Sequence, residues 1–432
     1  MKSASCALLA FIAALPLRAG MPNADCSNPF VFRDARVNVI VLPYRNKDVA
    51  NTDLEQVSSQ LTLLLQQTIL YSALRYPSIG TVRMVASSPG RVADCQAAVV
   101  AQKILGEKPG ALRQLSPGGA AILLWGQIYK EGDQIYLCSY ARLVRRGTDI
   151  AMETSGGGHG VFTARLPSDA MTFPARVITT GLLEEIGSAF RQSGTAHSDR
   201  SLSSPGFYLP MEPQHAFPYE VVEATTDGWM HVRGMDPRLP GFSGWIYAAE
   251  ALRSQTLGRN LPELRFVDGA IGYFEFAKAA DPAALGARAR ASLEAFVESA
   301  KGRDTSLATA TAKSMAAVTF ARDAALRSRG YQQAREAVAL APYNADARNL
   351  ELVYRLAMSS REIYQPGKWR VFAEELTQAA SLGPGKNYIF DNLDSFYAGV
   401  LAVPGLADEA AASEIRRRRG QLAVLRGAAA PR

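Results

Sequence analysis

The chain has 432 residues, which is enough for about two to four domains at roughly 150 residues each. Hydrophobic residues make up 48% of it and charged residues 20%, and these ordinary values exclude wholesale disorder and a collagen-like sequence. After the first 20 residues, no stretch of about 18 uncharged apolar residues occurs, which excludes an integral membrane body. The chain contains only four histidines and four cysteines, so we expect neither a metal centre nor a cofactor.

The N-terminus follows the pattern of a secretory signal peptide. Lys2 provides a short positive region, residues 7–15 are apolar, and Ala19 is a small residue near the cleavage point. We therefore predict a signal peptide at residues 1–20 and a mature protein in the periplasm or secreted, with no transmembrane segment left after cleavage; a buried N-terminal helix is the alternative. Loss of Lys2 and Arg18 lowers the net charge from +7 to +5, and this mild excess does not predict nucleic-acid binding.

Three cysteines remain after the leader, namely Cys26, Cys95 and Cys138. In an oxidising compartment an odd number predicts one disulfide and one leftover thiol. All three pairings are open, and we favour Cys26 with Cys95 because Cys138 lies within a strand-like run. No CxxC motif is present, so a thioredoxin-type redox role is not indicated.

From residue 37 the pattern alternates between apolar strands and amphipathic helices, which predicts an α/β domain with helices covering a mixed sheet. A Gly132-Asp133 turn between two strand-like runs predicts a hairpin. The predicted strands are 37–42, 81–85, 120–126, 134–144 and 160–166, and the predicted helices are 51–71, 91–105 and 174–190.

Three of these segments carry a family resemblance. The runs Val37–Pro43, Ile122–Ile128 and Gln134–Leu143 resemble the TolB-amino-terminal and curli-secretion-type α/β domain of bacterial envelope proteins. The resemblance implies a domain at residues 27–195 with roles in binding and assembly. It implies no catalytic residues.

Residues 196–205 are rich in serine and predict a linker to a small β module at residues 206–252. Within that module, the Asp227-Gly228-Trp229 turn and Gly244-Trp245-Ile246 resemble a bacterial SH3-like barrel. The resemblance implies binding of peptidoglycan stem peptides or partner proteins. The candidate ligand-binding residues are Trp229, Trp245, Tyr219, Glu223 and Asp227.

From residue 258 to 428, the chain lacks strand signals and is rich in alanine, leucine, arginine and glutamate, which predicts an all-α region. The segment Gly330–Ala347 resembles the second half of a tetratricopeptide repeat, and the resemblance implies a helical array with a concave surface for extended peptides. The predicted helices are 262–279, 282–300, 305–328, 331–341, 345–360, 368–382, 388–402 and 408–426.

Few residues in the sequence suggest chemistry. His159 follows three glycines and could belong to an oxyanion-hole loop, but a flexible glycine loop that enters a strand is favoured. The pair Glu374-Glu375 is interpreted as part of a solvated helix face. The run Arg416–Arg419 predicts either a solvated terminal helix or a surface that docks to anionic lipid or wall polymer. We therefore predict no catalytic site and no metal site.

The favoured hypothesis is a multidomain, non-enzymatic exported envelope protein that acts as a binding and scaffold adaptor through its α/β, SH3-like and tetratricopeptide-like modules. Its expected partners are envelope proteins or peptides. One alternative is a peptidoglycan-binding protein that acts through the SH3-like module, and a second is a cell-wall hydrolase whose catalytic residues are not recognised.

Overall fold

A computed structural model describes residues 36–47, 57, 61, 82–85, 101, 115, 118–145, 147, 149–154, 160–193, 195–208, 219–225, 227–234, 241–247, 262–276, 282–301 and 306–429. The chain divides into two compact units. The first unit comprises residues 1–146 and 168–305, and the second unit comprises residues 147–167 and 306–432. The helices predicted for 51–71 and 91–105 lie outside the described residues, apart from Val57, Leu61 and Ala101.

A six-stranded mixed sheet forms the core of the first unit. Its strands run in the order β2-β1-β3-β4-β7, with β8 also paired to β4. Strand β1 is parallel to β2 and β3, and β3 turns into antiparallel β4 at Gly132, whose φ of 61° fits the tight turn that the Gly-Asp pair predicts. The strands are β1 (Val37–Asn46), β2 (Val82–Val85), β3 (Ala120–Glu131), β4 (Gln134–Arg145), β7 (Met171–Thr172) and β8 (Arg176–Ile178).

Among the helices whose bounds the structure describes, those of the first unit are α1 (Thr180–Ser193), α2 (Pro262–Phe276) and α3 (Pro282–Ser299). We expected α2 and α3 in the C-terminal array, but they lie in the same unit as the sheet. The rings of Phe173, Phe266 and Phe296 meet edge to face, with centroids 5.3 to 5.6 Å apart. This aromatic packing joins both helices to the segment that follows β7.

A buried polar cluster also joins α2 to the sheet. The carboxylate of Glu263 accepts a hydrogen bond from the hydroxyl of Ser139 and forms an ion pair with Arg176, and Tyr44 donates to Ser139 over 3.0 Å. Glu263, Ser139 and Tyr44 are all buried, and burial raises the pKa of Tyr44 well above its ordinary value. We call these four residues the charged cluster.

The first unit also contains a five-stranded antiparallel sheet, in the order β10-β9-β13-β12-β11. The predicted linker at residues 196–205 overlaps a hairpin: Ala196 and His197 belong to β9, and Ser198 donates its N–H to the carbonyl of Pro205, which closes the loop to β10. Within this loop, the hydroxyl groups of Ser201 and Ser203 are hydrogen-bonded to each other, and the hydroxyl of Ser204 donates to the carbonyl of Ser201. The strands are β9 (Thr195–His197), β10 (Gly206–Tyr208), β11 (Tyr219–Ala224), β12 (Trp229–Gly234) and β13 (Ser243–Tyr247). The SH3-like barrel stays a prediction.

The second unit is a succession of helices in which each element packs on the next. The all-α prediction for this region is confirmed, although the helix predicted over 305–328 ends at Phe320 and a new one begins at Arg327. The helices are α4 (Ser306–Phe320), α5 (Arg327–Leu340), α6 (Ala345–Ile363), α7 (Lys368–Leu382), α8 (Asn387–Ala402) and α9 (Glu409–Ala429), with a short 3-10 turn at Ala324–Leu326. The tetratricopeptide-like assignment stays a prediction.

The second unit also contains a β-hairpin from much earlier in the chain. Strands β5 (Ile150–Thr154) and β6 (Gly160–Ala164) form a separate two-stranded sheet that packs on α6 and α8. The sequence pattern predicted that β6 would complete the α/β domain, and it does not. Its inward residues Phe162 and Ala164 are buried within the second unit instead.

Cys138 on β4 is fully buried and forms a disulfide, so the prediction that it is the leftover thiol is wrong. Cys26 and Cys95 lie outside the described residues. Which cysteine is bonded to Cys138 therefore stays a prediction.

Candidate functional site

The predicted ligand-binding residues lie on the five-stranded sheet, except for Asp227, which lies in the turn between β11 and β12. Trp229 pairs with Tyr247, and His231 pairs with Trp245, across β12 and β13. Because side chains alternate along a strand, these four residues share one face of the sheet, which we call the aromatic face. The intervening residues Met230, Val232 and Ile246 are fully buried on the opposite face.

Trp229 contributes to packing within this sheet more than to an open surface. It is only 6% exposed. Its ring lies 4.9 Å from that of Tyr247 and meets His197 edge to face at 5.9 Å. The main-chain N–H of Trp229 donates to the hydroxyl of Thr225 over 3.0 Å, which fixes the turn that precedes β12.

Trp245 is half-buried, and two cationic or polar groups lie beside it. The imidazole of His231 stacks on the indole with centroids 4.7 Å apart and an interplanar angle of 17°. The guanidinium of Arg200 lies 5.3 Å from the same ring, and His231 Nε2 is 2.7 Å from the hydroxyl of Ser243. Part of the Trp245 ring is therefore already covered by its own neighbours.

The two acidic residues predicted for this site lie at different positions relative to the aromatic face. Glu223 is exposed and lies directly opposite His231 on the neighbouring strand, so its side chain is on the same side of the sheet as the aromatic face. Asp227 is exposed in the turn before β12, at one end of that face. Tyr219 begins β11 opposite Gly234, and its side chain lies outside the described residues. Arg200 was missed because it lies in the segment that we predicted to be a linker.

A second candidate site lies in the second unit and was not predicted. It is a cleft of about 350 Å³ between α5, α6 and α7, which we call the helical cleft. Gly367, with a φ of 83°, forms the tight turn from α6 into α7, and Ser359 interrupts the helical geometry of α6 beside the cleft. The cleft is lined by Tyr331, Arg355, Met358, Ser359, Glu362, Ile363, Lys368, Val371, Phe372 and Glu375.

The apolar part of the helical cleft has a buried floor and an exposed edge. Phe372 and Ile363 are buried, whereas Met358 is 43% exposed and Val371 is 63% exposed. Large apolar side chains that are exposed side by side in a concave surface are typical of binding sites. Met358 adds an adaptable thioether side chain to this edge.

Two ion pairs form the polar part of the helical cleft. Both terminal nitrogens of Arg355 bond to the carboxylate of Glu375, and the guanidinium lies 5.1 Å from the ring of Phe372. Lys368 pairs with Glu362 over 2.7 Å, and its hydrogen bond lowers the pKa of that carboxyl. Glu374 is exposed and the side chain of Glu375 is 36% exposed, which agrees with the sequence interpretation of a solvated face, but Glu375 is also paired with a residue of the preceding helix, Arg355.

A half-buried carboxyl, that of Glu351, is bonded to one of the residues that line the cleft. Burial raises the pKa of Glu351 above its ordinary value, and Tyr331, a lining residue, is its hydrogen-bond partner. Burial together with the nearby charge of Glu351 raises the pKa of Tyr331. Perturbed titratable groups that accompany a concave surface are a feature of functional sites.

The charged cluster has residue types that can take part in catalysis, but it is enclosed. Glu263 is fully buried between α2 and the sheet, and Ser139 and Tyr44 are buried with it. A substrate has no access to such a position, so the cluster is a structural element of the first unit. His159 lies outside the described residues.

The arginine run is largely paired. Arg417 and Arg418 both bond to the carboxylate of Glu414, and Arg419 bonds to Asp394 on α8. Within the described ranges, no group of three metal-ligating side chains could hold a metal ion. None of the helices that the structure describes is both long and apolar enough to cross a membrane.

The chain matches no protein-family model, no curated protein and no solved structure at a significant level.

Proposed function

We propose that the protein is a non-enzymatic binding and scaffold adaptor of the bacterial cell envelope, exported by the predicted leader, that binds partner proteins or peptides. The observation that carries the proposal is the helical cleft, where Met358 and Val371 are exposed above the buried ring of Phe372. An apolar side chain of a partner that covers this edge would remove both residues from water. Each fully buried side chain of this size contributes about 1.5–3 kcal/mol.

The charged rim supports a peptide as the partner. Arg355 and Glu375 neutralise each other, as do Lys368 and Glu362, so the rim carries no excess charge that would select a strongly acidic or basic ligand. Ion pairs at the edge of an apolar centre exclude water and offer hydrogen bonds to a main chain. A short segment with an apolar anchor residue fits this arrangement.

A crosslinking experiment with a matched pair of variants tests the proposal. Val371→Glu places a charge at the edge of the cleft, and Val424→Glu makes the same change on α9 at a residue that is 72% exposed, compared with 63% for Val371. Both variants should retain the wild-type melting temperature. We expect the Val371 variant to lose proteins that are crosslinked to the wild type in the envelope, and the Val424 variant to keep them. Identical crosslinked species from all three proteins would contradict the proposal.

The second candidate function is peptidoglycan binding through the aromatic face. It is favoured by the half-buried indole of Trp245, which shares a row with exposed Glu223. Co-sedimentation with purified sacculi tests it: binding should be lost in Trp245→Ala and kept in Trp125→Ala. Trp125 is the matched control because it is also half-buried and stacks on Tyr140, at 5.8 Å. Binding that survives Trp245→Ala would exclude this face as the site.

A further inference from the structure

The outer edge of β6 is covered by side chains instead of by a strand. Thr163 lies opposite Ala151 of β5, and its carbonyl accepts hydrogen bonds from the amides of Asn349 (2.9 Å) and Asn392 (2.6 Å). The N–H of Thr163 donates to Asn392 Oδ1 over 2.8 Å. These two asparagines, which we call the asparagine pair, therefore supply the bonds that a neighbouring strand would supply.

The asparagine pair is itself fully connected. Asn392 Nδ2 also donates to Asn349 Oδ1 over 2.8 Å, and both side chains are almost completely buried. A buried amide without partners is costly, so the pair needs a main-chain N–H and C=O at this position. These bonds to β6 are made with the main-chain N–H and C=O of Thr163 and not with its side chain.

Side chains on either side of Thr163 add specificity. Phe162, Ala164 and Leu166 are buried in the second unit. Arg165 lies over the ring of Tyr388, 4.9 Å from its centroid, and the hydroxyl of Tyr388 donates to Asp346. Main-chain bonds together with alternating side-chain pockets are the general form of strand recognition.

The strand and its site are far apart in the sequence. Thr163 is 186 residues before Asn349 and 229 residues before Asn392, and residues 147–167 are flanked on both sides by chain that belongs to the first unit. We propose that the α6–α8 surface around the asparagine pair is a strand-binding site that holds β6 of its own chain and accepts the same strand from a second copy. This site is distinct from the helical cleft and does not depend on the proposed function.

A labelled peptide tests whether the site binds a strand in trans. Phe162→Ala in the full-length chain weakens the resident strand but leaves the asparagine pair intact. We expect the octapeptide with the sequence of residues 160–167 to bind this variant, and to bind Phe162→Ala/Asn392→Ala about tenfold more weakly or less. No binding above that of a scrambled octapeptide, or equal binding to both variants, would overturn the proposal. If Phe162→Ala does not fold, Phe162→Leu removes less volume and replaces it.

Mixing two full-length variants tests whether the strand of one copy can occupy the site of another. Asn392→Ala keeps an intact strand and has a damaged site, whereas Phe162→Ala keeps an intact site and has a damaged strand. We expect this mixture to form a heterodimer on size exclusion with light scattering, with a melting temperature above that of either variant alone. A mixture of Asn349→Ala and Asn392→Ala, both with damaged sites, should stay uncomplexed. Absence of the heterodimer from the first mixture, or its formation in both, would overturn the proposal.

Discussion

The two units hold a distant segment in place by different chemistry. In the first unit, α2 is joined to the sheet by charges, because Glu263 bonds to both Arg176 and Ser139. In the second unit, β6 is joined to α6 and α8 by the neutral asparagine pair. The charged cluster is incompletely satisfied, since Nε and Nη1 of Arg176 have no hydrogen-bond partner among the described atoms, whereas the asparagine pair bonds to both backbone groups of Thr163.

This difference predicts how each connection fails. A buried ion pair that loses one partner leaves a charge without compensation, so single substitutions there should be severe. A neutral amide network loses hydrogen bonds but leaves no charge behind, so its loss should be smaller. The neutral connection is also the one that another main chain can take over.

The largest effect is expected from Glu263→Ala, which should lower the free energy of unfolding by about 3–5 kcal/mol because it leaves Arg176 buried without its carboxylate. Urea denaturation measures this. Glu184→Ala on the exposed side of α1 is the control and should change stability by less than about 0.5 kcal/mol. The double variant Glu263→Ala/Arg176→Ala should be less destabilised than the sum of the single variants. A loss below about 1 kcal/mol for Glu263→Ala would show that the two connections do not differ as proposed.

A smaller effect is expected from Asn392→Ala, which leaves the N–H of Thr163 without its acceptor and should cost about 2–3 kcal/mol. Asn387→Ala, an exposed asparagine on the same helix, should cost less than about 0.5 kcal/mol. Hydrogen exchange at the amide of Thr163 gives a direct readout and should accelerate only in the Asn392 variant. Unchanged exchange would mean that the asparagine pair does not hold β6.

Gly126→Ala tests the packing around the charged cluster without changing a charge. An added Cβ would collide with the ring of Tyr44, so we expect a loss of about 1–3 kcal/mol. At Gly181, in the first turn of α1, an added Cβ meets no neighbour, and Gly181→Ala should be neutral or stabilising. Thermal unfolding of the two variants compares them. Equal melting temperatures would argue against close packing at Tyr44.

The smallest effect concerns charges at the surface, where solvent screens the interaction. Hydrogen bonds from Arg417 and Arg418 lower the pKa of Glu414 from 4.5 to about 2. Because the pKa is lower in the folded chain, any stabilisation from Glu414 is present above its ordinary pKa and is lost as the pH falls through about 2. Carboxyl NMR titration should show this low pKa and its rise in Arg417→Ala/Arg418→Ala. A pKa near 4.5 in the wild type would contradict the pairing.

Local patterns predicted the parts of the fold that local interactions decide. The β3–β4 hairpin follows from a glycine turn between two strand-like runs, and the helices of the second unit follow from composition and period. Alternation also predicted the strand at residues 160–166, but it carries no information about partners. The hydrogen bonds that hold β6 come from Asn349 and Asn392. Asparagine in a helix gives no signal of such a role, and the two residues are 186 and 229 positions away from Thr163 in the sequence.

The candidate sites show the same limit. The predicted tryptophans do lie on one face of a sheet, yet Trp229 is mostly buried, because tryptophan fills cores as readily as it lines surfaces. The helical cleft depends on residues of three helices that no single stretch of sequence brings together. Exposed valine and methionine in a helix give no local signal, since only the neighbouring helices make them part of a concave surface.

The position of β6 has a consequence for biosynthesis. A ribosome completes this strand long before it adds the last residue that binds it, because Asn392 follows Thr163 by 229 residues. Until α6 and then α8 have been made, β6, which carries the apolar residues Phe162 and Ala164, lacks the helices on which it packs. Contacts of such long range slow folding and leave apolar strands open to aggregation. A nascent chain that ends before α8 therefore leaves β6 without one of its two packing helices, and such a truncated chain should aggregate more readily than the full-length protein.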